Sequence, residues 1–477
     1  MTSAGVRVCP PRFPCIGTTI ALLVLACGSR AVAAAERPAP DAQAGAATYQ
    51  QSCARCHGDA GKGDGVDAKR FYPRPRDLTL GVYKFRSTMS GTPPTDEDLF
   101  RTISQGLPGT NMPDWPHLDE AARWHLVDYL KGLSPIFERT PPSPVALPPD
   151  PGPRHADLAK GRAVYEKLGC AACHGASGRA NGTSAAGLVD DWGMPIRPAN
   201  LTKGWAYRGG AAPEAIVTRI LAGIDGAGMP SYSEAVAPEE AWQLAHYVAS
   251  LQEPARWNLQ LRPLHLDTRA TSLTPPISLP SSVDDPRWAQ AEPADVRLRN
   301  AVSAEGAWAH PPTLQSVTIQ AIENGEGISL RLTWDDPSAP AAGAADSLAV
   351  VFAPQQLQGD VVTLQLWPYA GAPRLDACFW SSDTAQAFET LAHSVEGLFA
   401  KGNHRVARPS ASGYQDGRWR VVIQRPLRPE APLDAAQLSP EVFAQLAVAV
   451  WDGGNLDART VSPWLDVALP RQQRRER

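Results

Sequence analysis

Cys53-Ala-Arg-Cys56-His57 and Cys170-Ala-Ala-Cys173-His174 are two copies of one pattern, C-x-x-C-H. Two thiols about one helical turn apart can add to the two vinyl groups of a single porphyrin, and the adjacent imidazole is then held beneath the iron as an axial ligand. Composition alone gives ~0.003 such matches per chain, so two are not an accident. Competing uses of these thiols fit less well. The two C-x-x-C pairs of a zinc ribbon normally sit ~15–20 residues apart, whereas 113 residues separate Cys56 from Cys170. A thioredoxin-like dithiol belongs in a βαβ pattern, which neither copy has, and both copies carry the following His.

The surroundings repeat as well, which turns a motif into a domain argument. Gly45 and Tyr49 precede the first motif and Gly161 and Tyr165 the second, four apart in each case, on one face of a short leading helix. Pro75-Arg-Asp-Leu78-Thr79 corresponds to Pro198-Ala-Asn-Leu201-Thr202, and Ile103-Ser-Gln-Gly106 to Ile220-Leu-Ala-Gly223. Each copy closes on a helix, with Trp124, Val127 and Leu130 in the first and Trp242, Ala245 and Val248 in the second; these apolar stripes are core positions. Met112 follows His57, and Met229 follows His174, by the same 55 residues, each before a Pro and in a glycine-containing loop. A Met is commonly a core filler. Here two of the four Met beyond the first residue occupy equivalent repeat positions, which marks Met112 and Met229 as the sixth iron ligands; Met89 and Met194 compete but have no counterparts.

This pattern resembles class I cytochrome c over residues 41–134 and 155–252. The resemblance implies two small all-α domains, each with a covalent haem c. Cys53, Cys56, Cys170 and Cys173 would bind the cofactor, and His57, Met112, His174 and Met229 would ligate the iron. A filled sixth position leaves no site for peroxide or nitrite, and thioether ligation raises the potential, so the expectation is electron carriage without a catalytic residue. The glycine-rich stretch Gly58–Gly65 lacks phosphate-loop spacing and reads as a loop beside the haem. Lys69-Arg70, Arg74 and Arg76 read as propionate or partner contacts, or equally as a solvated face.

Outward from the motifs, residues 1–35 read as a cleaved secretory signal: Arg7 and Arg12, an apolar run 16–26, then small residues to Ala35. Val24-Leu25-Ala26-Cys27 offers an alternative, a lipid anchor at Cys27. Either places the protein in the periplasm. Cys9, Cys15 and Cys27 fall in this leader, and the remaining five cysteines, an odd count, exclude a disulfide framework. No apolar run approaches the ~20 residues of a transmembrane span. A net charge of −4 without a basic block excludes nucleic acid as a partner.

At 477 residues the chain is long enough for about three domains. Its 46 Pro, roughly twice the usual ~5%, point to long connections. Eight of them lie in 134–153, so 135–154 reads as a stiff spacer, and 253–283 as a second linker. From 284 to 470 helical periodicity gives way to alternation. Val317–Gln320 and Ile328–Trp334 form a hairpin signal, with further strands at 347–353, 361–367, 419–425 and 444–451 and one helix near 384–400. The fold class is thus multidomain α + β: two all-α cytochrome c domains followed by an all-β sandwich with a short helix.

Val283–Trp288, Leu330–Pro337, Gly413–Leu427 and Ala449–Gly453 resemble the haem-b-binding gamma subunits of ethylbenzene and dimethyl sulfide dehydrogenases. That resemblance implies a partner: a molybdopterin/iron–sulfur oxidoreductase of the dimethyl sulfoxide reductase type, with another cytochrome or an oxidase completing the chain. It also implies a b-type haem ligated by Met and Lys. No Met follows Met229, and Lys401 is the only Lys after Lys203, so at least one family ligand is missing. His393, His404 and Cys378 are substitutes in principle, but lone His and Cys residues are more often structural or exposed, and haem b is disfavoured. Asp335-Asp336 and Asp452–Asn455 could ligate calcium; turn chemistry explains them more simply. Two other functions stay open: a dihaem oxidoreductase of peroxidase or thiosulfate type, and a dihaem cytochrome fused to a carbohydrate-binding module.

Overall fold

The computed structural model describes residues 37–108, 110–266, 277–300, 314–337, 345–353, 375–392, 406–430, 435–439, 444–453 and 459–469. The leader 1–35 with Cys27, the strand expected at 361–367, and His393, Lys401 and His404 lie outside them. All elements below belong to one compact unit, Pro40–Arg477.

The first repeat runs through α1 (Ala42–Ser52), α2 (Ala54–His57), α3 (Asp96–Gln105), α4 (Glu120–Gly132) and α5 (Ile136–Arg139). The second runs through α6 (Leu158–Lys167), α7 (Ala171–His174), α8 (Pro213–Ala222) and α9 (Pro238–Ser250). Side-chain caps start the leading helices: Asp41 accepts from Ala44 N at 2.8 Å and Asp157 from Lys160 N at 3.0 Å. α1 packs across α4 and α6 across α9. Gly45 and Gly161 mark the two crossings, because any side chain there would collide with the opposing main chain. Each repeat has its own core, Tyr49, Leu99, Ile103, Leu126 and Val127 in the first, Tyr165, Val217, Ile220, Trp242 and Leu244 in the second.

The stretch 135–154 is more than a spacer. Met89 N donates to Ser143 O and Val145 N to Ser87 O, while Val145 and Leu147 pack against the core of the second repeat. Trp242 Nε1 then donates to Pro148 O at 2.9 Å, and His246 pairs with Asp150 at 2.7 Å. The chain between the repeats is therefore docked on both of them.

The strands follow: β1 (Gln260–Leu261), β2 (Leu264–His265), β3 (Ala294–Arg297), β4 (Arg299–Asn300), β5 (Ser316–Glu323), β6 (Gly327–Asp335), β7 (Ser347–Phe352) and β8 (Leu375–Ser381). Then come β9 (Gln386–Ala392), β10 (Val406–Arg408), β11 (Ser410–Gln415), β12 (Arg418–Pro426), β13 (Ala444–Trp451), β14 (Arg459–Val461) and β15 (Leu465–Val467). Among the described residues they make two sheets, one ordered β1-β15-β13-β7-β8-β9-β10 with β14 on β13 and β4 on β14, the other β11-β12-β6-β5-β2 with β3 also on β5. The β5–β6 hairpin lies where alternation placed it, with Ile319 opposite Leu332. The inner faces share one core, in which Leu332, Trp334 and Val421 meet Val350, Trp380 and Val448. The outer face of the larger sheet is buried too, at Val351, Phe379 and Trp451, so β7 and β8 are buried throughout instead of alternating.

Two expectations need correction. The helix placed near 384–400 is a strand over Gln386–Ala392, paired antiparallel to β8 with Phe388 opposite Phe379. Local propensity favours helix in a stretch that carries Ala385, Ala387, Glu389 and Leu391, but pairing with β8 and β10 on both sides overrides it. The linker 253–283 contributes β1 and β2, which pair in parallel with β15 and β5, so it supplies a strand to each sheet.

Candidate haem sites

Each C-x-x-C-H motif occupies a single helical turn, α2 or α7, held between the same contacts. Tyr49 Oη donates to Gly58 O and Tyr165 Oη to Gly175 O, both at 2.7 Å. Gly58 and Gly175 end these turns with φ of +80° and +79°, which sends the chain back over the motif. Gly63 N then donates to His57 O, and Ala180 N to His174 O, at 2.7 and 2.8 Å.

The two imidazoles are oriented alike. His57 Nδ1 lies 3.0 Å from Arg76 O, and His174 Nδ1 lies 2.8 Å from Ala199 O. A carbonyl can only accept, so Nδ1 carries the proton and Nε2 keeps a lone pair for a metal. Burial pushes both imidazoles below the ordinary histidine range, which keeps them neutral and able to ligate. The carbonyls themselves are fixed, since Thr79 N and Oγ1 donate to Asp77 Oδ1, as Thr202 N and Oγ1 do to Asn200 Oδ1. The sequence repeat Pro-x-Asp/Asn-Leu-Thr is thus the support of the histidine carbonyl.

All four motif cysteines are free thiols. Burial pushes Cys53 and Cys170 up to about 11. The methionine loops match: Leu107 N donates to Met112 O and Ile224 N to Met229 O, each at 3.0 Å. In the second repeat Cys170, His174 and Met229 line a single cavity of about 630 Å³, with Tyr165, Leu201, Ile220 and Leu244 in its walls. Apolar walls, free thiols, a neutral imidazole and a thioether form a donor set that fits haem c, and the volume lies within the ~300–1,000 Å³ of cofactor sites. Met194 lines this cavity too, whereas Met89 sits on the docked linker.

Several residues of this cavity come from elsewhere in the chain. Arg76 of the first repeat holds the His57 imidazole through its carbonyl, and its guanidinium lies 4.0 Å over the Trp192 ring of the second. Lys84 pairs with Asp190 at 3.2 Å, and Arg86, buried, pairs with Asp225 at 2.8 Å. Residues 72–91 therefore form a strap laid across the second repeat. The basic run divides accordingly: Lys69 and Arg70 are exposed, whereas Arg74 and Arg76 face the cavity. No local pattern distinguishes the two groups.

In the sandwich, Cys378 is buried in the core, where burial pushes its thiol well up. Asp335 ends β6 instead of forming a turn. Asp336 and Asp452 approach Asp346 with carboxylate oxygens within 4.8 Å of one another, a grouping not legible from the sequence. Trp419 Nε1 and Gly453 N donate to Asp346, and Arg197 pairs with Asp452.

Comparison with known proteins bears on the two repeats. Residues 40–130 and 156–248 each match the family described as cytochrome c oxidase, cbb3-type, subunit III. A cbb3-type cytochrome c oxidase subunit CcoP from Azospirillum sp. (strain B510) is 30% identical over 224 residues, 44% of this chain and 62% of that relative's length. A chain of the Kuenenia stuttgartiensis reducing HAO-like protein complex is 41% identical, covering 46% of this chain and all of that one, with a TM-score of 0.44. A family 9 carbohydrate-binding module from Caldicellulosiruptor kristjanssonii, solved with cellotriose, is 11% identical over 43% of this chain and 83% of that one, with a TM-score of 0.25. The two repeats thus match cytochrome c domains, a class that carries haem c covalently. Among the described residues no helix is long and apolar enough to cross a membrane.

Proposed function

We propose that the chain is an exported dihaem c-type cytochrome that carries electrons, with one haem in 41–134, one in 155–252, and a sandwich, 284–470, that seats it on a larger oxidoreductase. Cys53, Cys56 and His57 with Met112 would hold the first haem, and Cys170, Cys173 and His174 with Met229 the second. When bound, haem c supplies a one-electron iron couple. The chain's own part is to keep each imidazole neutral and aimed through its carbonyl, to shut the sixth position with a thioether, and to exclude water with apolar walls.

The observation that carries this reading is the duplicated donor set, in which His57 and His174 each donate from Nδ1 to a carbonyl braced by the same Thr contact. A molybdopterin enzyme as partner rests on the resemblance of residues 280–470 alone, and a periplasmic site on the leader and on the cytochrome c domains. A haemochrome spectrum with intact mass tests the core of the proposal: two covalent haems support it, and colourless or singly loaded protein overturns it. Copurification with a molybdenum-containing oxidoreductase, and its loss on deleting 284–470, tests the partner.

A further inference from the structure

The two histidine supports differ in one respect. Asp77 in the first repeat is replaced by Asn200 in the second, and the amide keeps the oxygen that braces Thr202 while adding a donor. That donor, Asn200 Nδ2, reaches Asp335 Oδ2 of the sandwich at 3.0 Å. Asp335 is the last residue of β6, and its side chain is only 6% exposed. Its two oxygens take four donors: Arg418 Nε at 2.7 Å and Arg179 Nη1 at 3.1 Å on Oδ1, Asn200 at 3.0 Å and Lys203 Nζ at 3.3 Å on Oδ2. That exhausts a carboxylate's capacity, so the group cannot turn. Glu253 pairs with the same three cations, Arg179, Lys203 and Arg418. Burial alone would raise the Asp335 carboxyl, but Lys203, Arg418 and Arg179 outweigh it and hold the group ionised.

Asn200 follows Ala199, whose carbonyl receives the His174 proton. A rigid sheet thus ends in a carboxylate that fixes the residue next to the carbonyl orienting one of the two axial histidines. We propose that Asp335 is a positioning residue for His174, through which the sandwich sets the reduction potential of the second haem independently of the first. The inference rests on the dihaem reading above. The strength and direction of the Nδ1 hydrogen bond tune the basicity of an axial imidazole, and the charge beside it biases the ferric or ferrous state. The first haem, whose Asp77 makes no such link among the described residues, is an internal control.

Spectroelectrochemical titration of the full-length holoprotein tests this. Asp335→Asn removes one negative charge from a cluster that keeps three cations, so the midpoint of the second haem rises while that of the first stays in place. Arg418→Gln removes a cation and leaves the Asn200 contact, so the same midpoint moves down. Carbon monoxide on a Met112→Ala background removes the first wave and assigns the one that moves. Should Asp335→Asn destabilise the sandwich, Arg418→Gln still carries the test, because its shift has the opposite sign. Two covalent haems whose midpoints stay still, or move together, overturn the inference alone. A wild-type haem count other than two overturns the dihaem reading and this inference with it.

Discussion

Gly45 lies under the main-chain carbonyl of His125, so close that a Cβ on Gly45 would fall 2.0 Å from that oxygen. Gly161 stands in the same relation to Gln243, at 2.2 Å. The obstacle is backbone and cannot swing aside, so Gly45→Ala or Gly161→Ala should cost about 1–3 kcal/mol by overpacking, read as a lowered urea midpoint. Gly132, at the end of α4 with nothing within 4 Å of its would-be Cβ, is the contrast. Gly132→Ala should be neutral or stabilising by up to ~1 kcal/mol.

Met112 and Met229 occupy matched loops closed by matched hydrogen bonds. If each shuts one iron, ferrous wild-type protein should not bind carbon monoxide, and Met112→Ala or Met229→Ala should each admit it at one of the two haems. Binding of carbon monoxide to both ferrous haems of the wild-type protein would point to an enzyme with open sites instead.

Arg86 joins the strap to the second repeat through Asp225 at 2.8 Å and Ala222 O at 3.2 Å, and Arg219 Nη2 donates to the Arg86 carbonyl. Arg86→Leu leaves Asp225 without its cation and should cost on the order of 3 kcal/mol, the low end for a buried pair because Asp225 keeps some solvent. Calorimetry should then show the two haem domains unfolding separately.

Asp376 and Glu389 share the buried Arg425, at 3.0 and 2.7 Å. Burial, reinforced by Glu389 and only partly offset by Arg425, pushes the Asp376 carboxyl up to about 7. Between its unfolded value of ~3.9 and about 7 the folded protein keeps a proton that the unfolded chain releases. The group's contribution is thus complete below ~4 and is lost as pH rises through about 7. Urea unfolding at pH 5 and pH 8 should show this decline, and Asp376→Asn should flatten it.

The parts of the molecule legible in the sequence are those governed by short spacing. C-x-x-C-H, the Gly and Tyr spaced four apart just before it, and the Pro-x-Asp/Asn-Leu-Thr support, 19 and 25 residues from the histidines it serves, all repeat as short motifs. Strands β5, β6, β12 and β13 were legible for the same reason, since alternation is local. Residues 386–392 were not, because a partner strand and not propensity decides their state. Neither was the docking of 143–150, whose contacts lie some 50 to 100 residues away in the chain.

The sequence by itself determined that thiols, imidazole and thioether recur in one order at one spacing, because a repeated unit carries its local chemistry with it. Only the tertiary structure decided that the repeats are unequal. Arg76 reaches Trp192 and Asp335 reaches Asn200 across 116 and 135 residues of chain, and charges buried between domains must find partners wherever the fold brings them.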